Sequence, residues 1–365
     1  MSVKLDVRSV GHLGNLQKEF DDKRSPESFA LPACLTSLME YLGEDVRWET
    51  IHAHGREWQK RRLNDAILAA TGMGFGLLWW HGPPGGEHFG EVCPSSFDLT
   101  QVNAEHNETI RRAFDYMGYA CEIVDKADVS FDEMKRLIVQ SLDEGRPVLT
   151  FGPVEPHEEC SIVCGYGSGG DTLFGWSHWQ SRRPNETEPD GMFRASDWYD
   201  SMWKIVLCRE KKEPKTGLRE IVRHGLAIAT ADDIDGLYAG RAAYDAWAGY
   251  IVDPAYKRMR REALRQKYWF HKHLVGNHAE ARAYLGGFLH EAAGEDKRLH
   301  EIAGMYMEIH DLCWKIWGAA GGTSVKKGYR AFRKKKKQDQ IVGLIRKIEE
   351  LDFQAAGELR DWLEG

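Results

Sequence analysis

No apolar run in the sequence approaches the ~18–20 residues that a bilayer-spanning helix needs. The first twenty residues, MSVKLDVRSVGHLGNLQKEF, lack the apolar core of a secretory signal. Cysteine is sparse: seven residues, an odd count, with no dense spacing that reads as a disulfide framework. Cys160 and Cys164 have no second pair at zinc-finger spacing, so no structural zinc site is expected. No G-x-x-x-x-G-K-[ST] string is present, and no G-x-G-x-x-G lies between a strand and a helix, which removes the common phosphate cradles. Positive charge is not in excess. The formal net charge of −7 argues against a general nucleic-acid binder. These absences predict a reduced, cytoplasmic protein with no membrane or nucleic-acid partner, no metal and no cofactor.

What is present is an ordinary globular composition, 42% hydrophobic and 29% charged, in a chain long enough for about two domains. Composition shifts at 210–217, a stretch rich in Lys, Glu and Pro. We therefore expect one domain over 1–210 and a helical domain over 217–365. In the first, helices are expected at 107–116 and 131–142, with strands at 119–124, 148–151, 160–166, 172–176 and 204–208. Residues 46–70 read as one or two helices. One early helix followed by helices and several late strands predicts an α+β domain rather than alternating βαβ units. Beyond 217, apolar spacing predicts helices over roughly 217–230, 235–252, 255–274, 277–293, 295–318 and 338–364. Lys334–Lys337 reads as a solvated helix face. His290, His300 and His310 recur every ten residues, which does not place them on one helical face.

The stretch that organises the first domain is LPACLTSLMEYLGED, Leu31–Asp45. Leu35, Leu38, Met39 and Leu42 form an amphipathic stripe, and Pro32 suits the approach to a helix. Cys34 is expected in the first turn, where unpaired backbone N–H groups and the helix dipole favour a thiolate. It is either a nucleophile or a small buried residue. A nucleophilic thiol needs a base and a group that orients the base. His157, just before the strand at 160–166, is the candidate base, with a surface histidine in a turn as the other reading. Thirteen tryptophans are the compositional oddity, and they either fill cores or line a cleft. TGMGFGLLWW, beginning at Thr71, alternates glycine with apolar residues, as where backbone approaches something closely. His81, Glu87, His88, Glu91 and Cys93 match no standard metal spacing.

LPACLTSLMEYLGED, TGMGFGLLWW and CSIVCGYGSGGDTLFGWS, in that order, resemble the papain-like fold of the bacteriocin-processing, peptidase-like cysteine hydrolases. The resemblance is closer to the group named for the N-terminal domain of the butirosin-biosynthesis acyltransferase. It covers about residues 25–210, and FLHEAAGEDKRLHEIAGMYMEIHDLCWKIW fits the helical domain of such proteins. It implies a papain-like α+β domain in which Cys34 is the nucleophile, His157 the base and Glu159 an orienting or polarising group. Trp79, Phe75, Trp176 and Ser177 are the implied substrate contacts. The substrate would be a small molecule, a peptide or an acyl-carrier thioester. Glu159 occupies the position where that pattern usually has histidine, and Ser28 stands where an oxyanion-hole glutamine is expected. Those departures leave a second reading open, a non-catalytic papain-like binding module. An adaptor built on the helical domain is a third.

Overall fold

The computed structural model describes residues 2–10, 27–53, 56–80, 102–103, 105–152, 160–178, 187–322 and 324–365. The fold is mixed α+β, with an antiparallel sheet and a helical C-terminal region. In chain order it begins with β1 (Val3–Lys4), α1 (Ala30–Tyr41), β2 (Trp48–Ala53), β3 (Arg56–Arg61) and α2 (Arg62–Ala70). Next are β4 (Trp79–Trp80), α3 (His106–Met117), β5 (Tyr119–Asp125), α4 (Phe131–Asp143), β6 (Val148–Phe151), β7 (Cys160–Gly167) and β8 (Thr172–Ser177). β9 (Phe193–Ala195), the short α5 (Trp198–Ser201) and β10 (Lys204–Lys211) follow. Two compact units emerge: Met1–Ile67 with Phe114–Lys215, and Leu68–Ala113 with Thr216–Gly365. Composition signals a change only near 210–217. The excursion of 68–113 into the second unit begins and ends within α2 and α3, where helical patterning continues without a break.

The sheet of the first unit runs β5-β10-β6-β7-β8-β9, every pair antiparallel. β1 continues the edge of β7 beyond β6, pairing Val3 with Tyr166 and Lys4 with Gly165. One face is covered by α4, whose Met134, Ile138 and Leu142 pack with Val163, Leu173, Ile205 and Leu207. Ser130 caps that helix, its hydroxyl accepting from the Glu133 N–H. The helix α1 packs against β7 and β8. It is buried continuously from Leu31 to Met39, so the expected one-sided stripe is in fact an all-round buried helix. Residues 48–61, expected to be helical, form the β2–β3 hairpin. Its cross-strand partners run from Trp48–Arg61 to Ala53–Arg56.

The second unit contains α6 (Leu218–Ala229), the two-residue strands β11 (Asp233–Ile234) and β12 (Leu237–Tyr238), and α7 (Gly240–Ile251). A 3₁₀ turn at Pro254–Lys257 then leads into α8 (Arg261–Ala293), α9 (Lys297–Ala319), α10 (Val325–Ala331) and α11 (Lys335–Glu364). β4 pairs with β12, Trp79 opposite Tyr238. Two of the expected helices, 255–274 and 277–293, are one 33-residue helix, α8. Asn277, whose residue type and position suit the cap of the second of these, lies in its interior. Asp296 does cap α9, accepting from the Arg298 and Leu299 N–H groups. No described helix is long and apolar enough to cross a membrane.

Candidate functional site

The helix carrying Cys34 begins at Ala30, four residues before the sequence pattern suggests. Pro32 therefore sits inside the first turn, where its missing N–H costs nothing. Cys34 falls in the second turn, past the unpaired N–H groups that would favour its thiolate. The thiol is 0% exposed, and Sγ donates to the Cys160 carbonyl at 3.5 Å. Cys164 is also buried. Burial first, then the neighbouring Cys34, push its thiol well above the ordinary range. The described cysteines form no disulfide.

Strand parity sorts the rest of this site. Val163 and Leu173 face α4, so Ser161, Gly175 and Ser177 take that side, while Ile162 and its partner Trp176 point to the face covered by α1. Ser177 is thus buried away from Cys34's helix. Trp176 is on the Cys34 side, 8% exposed, with Nε1 donating to the Val7 carbonyl at 2.9 Å. The last paired residues are Ser161 and Ser177; His178 follows directly, at the end of the ladder where the Cys160 carbonyl holds the Cys34 thiol. His178 is 4% exposed. Sequence reading stopped one residue short of it; counting strand alternation from Trp176 would have found it. His157 and Glu159 lie outside the described residues, as does the set His81, Glu87, His88, Glu91 and Cys93. Among the described residues no group of three His, Cys, Asp or Glu side chains is arranged to hold a metal ion.

A second feature of the first unit went unanticipated. The Arg61 guanidinium, 1% exposed, grips Glu27 bidentately at 2.7 and 2.5 Å. It also donates to Ser37 and Glu40 of α1, each at 3.0 Å. This clamp ties the segment before α1 and the C-terminal half of the helix to the end of β3.

Phe75 and Trp79 belong to the second unit. Phe75 is 1% exposed and packs edge-on to Tyr306, and Trp79 is enclosed by Tyr250 and Phe270 at 5.3 and 5.4 Å. Both rings fill a core. The alternating glycines around Phe75 have the same origin. A Cβ at Gly72 would meet Ile228 at 2.2 Å, and one at Gly76 would meet Val102 at 2.9 Å. Arg282 of α8, 0% exposed, reaches this segment and spends all five donors. Its Nη1 binds the carbonyls of Gly74 and Gly76, Nη2 binds the Phe75 carbonyl at 3.0 Å and Asp352 at 2.6 Å, and Nε binds Asp352 at 3.0 Å. Burial acts to lower the Arg282 pKa, but adjacent Asp352 overrides it and holds the group raised. Tyr244 donates to Asp352 at 2.7 Å and shares a hydrogen bond with His278. Burial, then Arg282, keep His278 far below its ordinary value. The cluster is a buried ion pair that fastens residues 74–76 to α8.

No family model matches the chain, and no curated protein matches it. Among solved structures it is similar to prointerpain A from Prevotella intermedia, with a TM-score of 0.29 and 10% identity over 56% of this chain and 71% of that one. A likeness at that level carries no argument about mechanism.

Proposed function

We propose that the protein is a cysteine-dependent acyl- or peptidyl-transfer enzyme or hydrolase of papain-like fold. The first 210 residues would carry the reaction, and residues 217–365 would form an accessory helical domain. The observation supporting this reading is the position of Cys34. Its helix lies on β7 and β8, and its sulfur is 3.5 Å from the carbonyl of the first residue of β7, directly after the segment that holds His157 and Glu159. In the reaction, His157 takes the Cys34 proton and the sulfur attacks the substrate's carbonyl carbon. The bond from that carbon to nitrogen, oxygen or sulfur breaks, and the leaving group receives the proton. The resulting thioester passes its acyl group to an amine or to water. Glu159 orients the imidazole, and Trp176, on the Cys34 face of the sheet, is the substrate contact retained from the sequence. Packing accounts for Phe75, Trp79 and Ser177. Iodoacetamide near neutral pH, followed by peptide mapping, tests the proposal. Cys34 should label faster than the other six cysteines, and labelling no faster than theirs removes the activated thiol.

A specific observation favours a second reading, a binding module without catalysis. The thiol is wholly enclosed and acts as a hydrogen-bond donor, as a structural cysteine does. Under this reading Cys34→Ala leaves the fold and any cellular phenotype intact, whereas under the first it abolishes the phenotype with the fold retained.

A further inference from the structure

Two basic runs far apart in sequence meet in the second unit. Residues 257–265 carry five Lys or Arg and one acid, and residues 330–337 carry six and none, in a chain whose formal net charge is −7. Packing joins them. Phe332 stacks on Tyr256 at 5.4 Å, and the Arg333 guanidinium donates to the carbonyls of Tyr256 and Met259 at 3.2 and 2.6 Å. The Arg261 guanidinium lies 5.4 Å from the ring centre of Tyr329. Lys257, Arg258, Arg260 and Arg261 are all exposed, as are Arg330 and Lys334–Lys336 on the other run. Glu262 neutralises Arg265, and Asp339 pairs with Lys335 at 2.6 Å. Asp253, beside the first run, is engaged as the cap of the 3₁₀ turn. The remaining cations face solvent together.

Their placement opposes local stability. Arg260 and Arg261 open α8, and Lys334 and Lys335 open α11, so cations stand at the positive ends of two helix dipoles. Such conflicts with local rules are expected where a surface serves a partner. Two exposed apolar side chains lie on the elements that carry the first run: Val252 (40% exposed) at the end of α7, five residues before Lys257, and Trp269 (39% exposed), two turns along α8 from Arg261.

We propose that this surface docks peripherally on an anionic phospholipid membrane. The cations engage lipid headgroups, and Trp269 and Val252 enter the interfacial layer, where indole rings are favoured. A nucleic-acid backbone would satisfy the cations but leave Val252 in water, so a lipid surface fits the whole patch better.

Co-sedimentation of the full-length protein with vesicles provides the test, comparing phosphatidylcholine alone with phosphatidylcholine doped with phosphatidylserine, at low and high salt. Binding should require phosphatidylserine and weaken as salt rises. Each exposed cation is worth about fivefold in partitioning, so the triple variant Lys334→Gln, Lys335→Gln, Lys336→Gln should bind about a hundredfold more weakly. All three sites are exposed, and a thermal midpoint no lower than the parent's confirms that the variant is folded. Trp269→Ser should weaken binding several-fold while leaving its salt dependence unchanged. Equal partitioning onto neutral vesicles, or undiminished binding by the triple variant, overturns the proposal. Tighter binding to a short nucleic-acid duplex than to doped vesicles at the same salt also overturns it and assigns the patch to nucleic acid.

Discussion

Replacing Asp352 with alanine strands a buried cation. Arg282 is 0% exposed and donates two of its five hydrogen bonds to that carboxylate, while Tyr244 donates its hydroxyl to the same group. The three carbonyls of residues 74–76 remain, but carbonyl dipoles do not balance a full charge. Removing one member of a buried pair costs about 3–5 kcal/mol, a large share of the roughly 5–15 kcal/mol that holds a domain together. For a unit of this size the thermal midpoint of the helical signal should fall by about 10 °C. Urea titration followed by circular dichroism measures the loss, and a double-mutant cycle isolates its cause. Once Arg282→Met has removed the cation, Asp352→Ala should cost less than about 1 kcal/mol, because nothing charged is left stranded. The same penalty in both backgrounds would refute the electrostatic account and assign the loss to packing alone.

Two further outcomes follow from burial. His271 is 1% exposed with no hydrogen-bond partner on either ring nitrogen among the described residues, and burial lowers its pKa to about 3; burial and then Arg112 lower that of His224 to about 4. The unfolded chain, titrating near 6.5, binds more protons between these values. Stability is therefore full above about pH 6.5 and falls as pH drops towards 3, by up to about 1.4 kcal/mol per pH unit for each histidine. His271→Leu should raise stability at pH 7 by about 1–2 kcal/mol and flatten the acid slope by one proton; urea midpoints at pH 7 and 5 that shift in parallel with the parent's would contradict this. Gly225 lies in α6 with a would-be Cβ 2.4 Å from the buried Phe75 ring. Gly225→Ala should destabilise by about 1–2 kcal/mol despite its better helix propensity, and a thermal midpoint at or above the parent's would show that the ring can yield.

Where local chemistry and tertiary context agreed, the sequence was legible. The helix expected at 131–142 is α4, and the apolar run Val148–Phe151 is β6 as expected. The hairpin around Gly167–Gly170 was also readable, because glycine there adopts positive φ, 67° at Gly169 and 101° at Gly170. Expectation failed where distant residues decide the outcome. Trp48–Arg61 reads equally as a charged helix, and it becomes a hairpin whose Arg61 is drawn inward by Glu27 and Glu40. Gly276-Asn277 resembles a helix break, yet the helix continues through it. His290 and His300 do not share one helix face, but the turn between α8 and α9 brings their Nδ1 atoms to 3.0 Å. At the candidate site the register error was small and consequential. A helix beginning four residues early moves Cys34 out of the dipole's first turn, and one step of strand parity exchanges Ser177 for His178 on the Cys34 face.

The strand order β5-β10-β6 has a consequence for synthesis on the ribosome. β10 lies between two strands that are made about sixty to eighty residues before it, so both expose open edges until Lys204–Lys211 emerges. At roughly 5–20 residues per second that interval lasts several seconds. The residues from Leu68 to Ala113 wait longer still, since the remaining helices of their own compact unit begin only after Thr216. The apolar stretch from Met73 to Trp79 is therefore the part of the nascent chain most in need of chaperone cover, and a ribosome stalled before β10 would leave two unpaired strand edges able to join another chain.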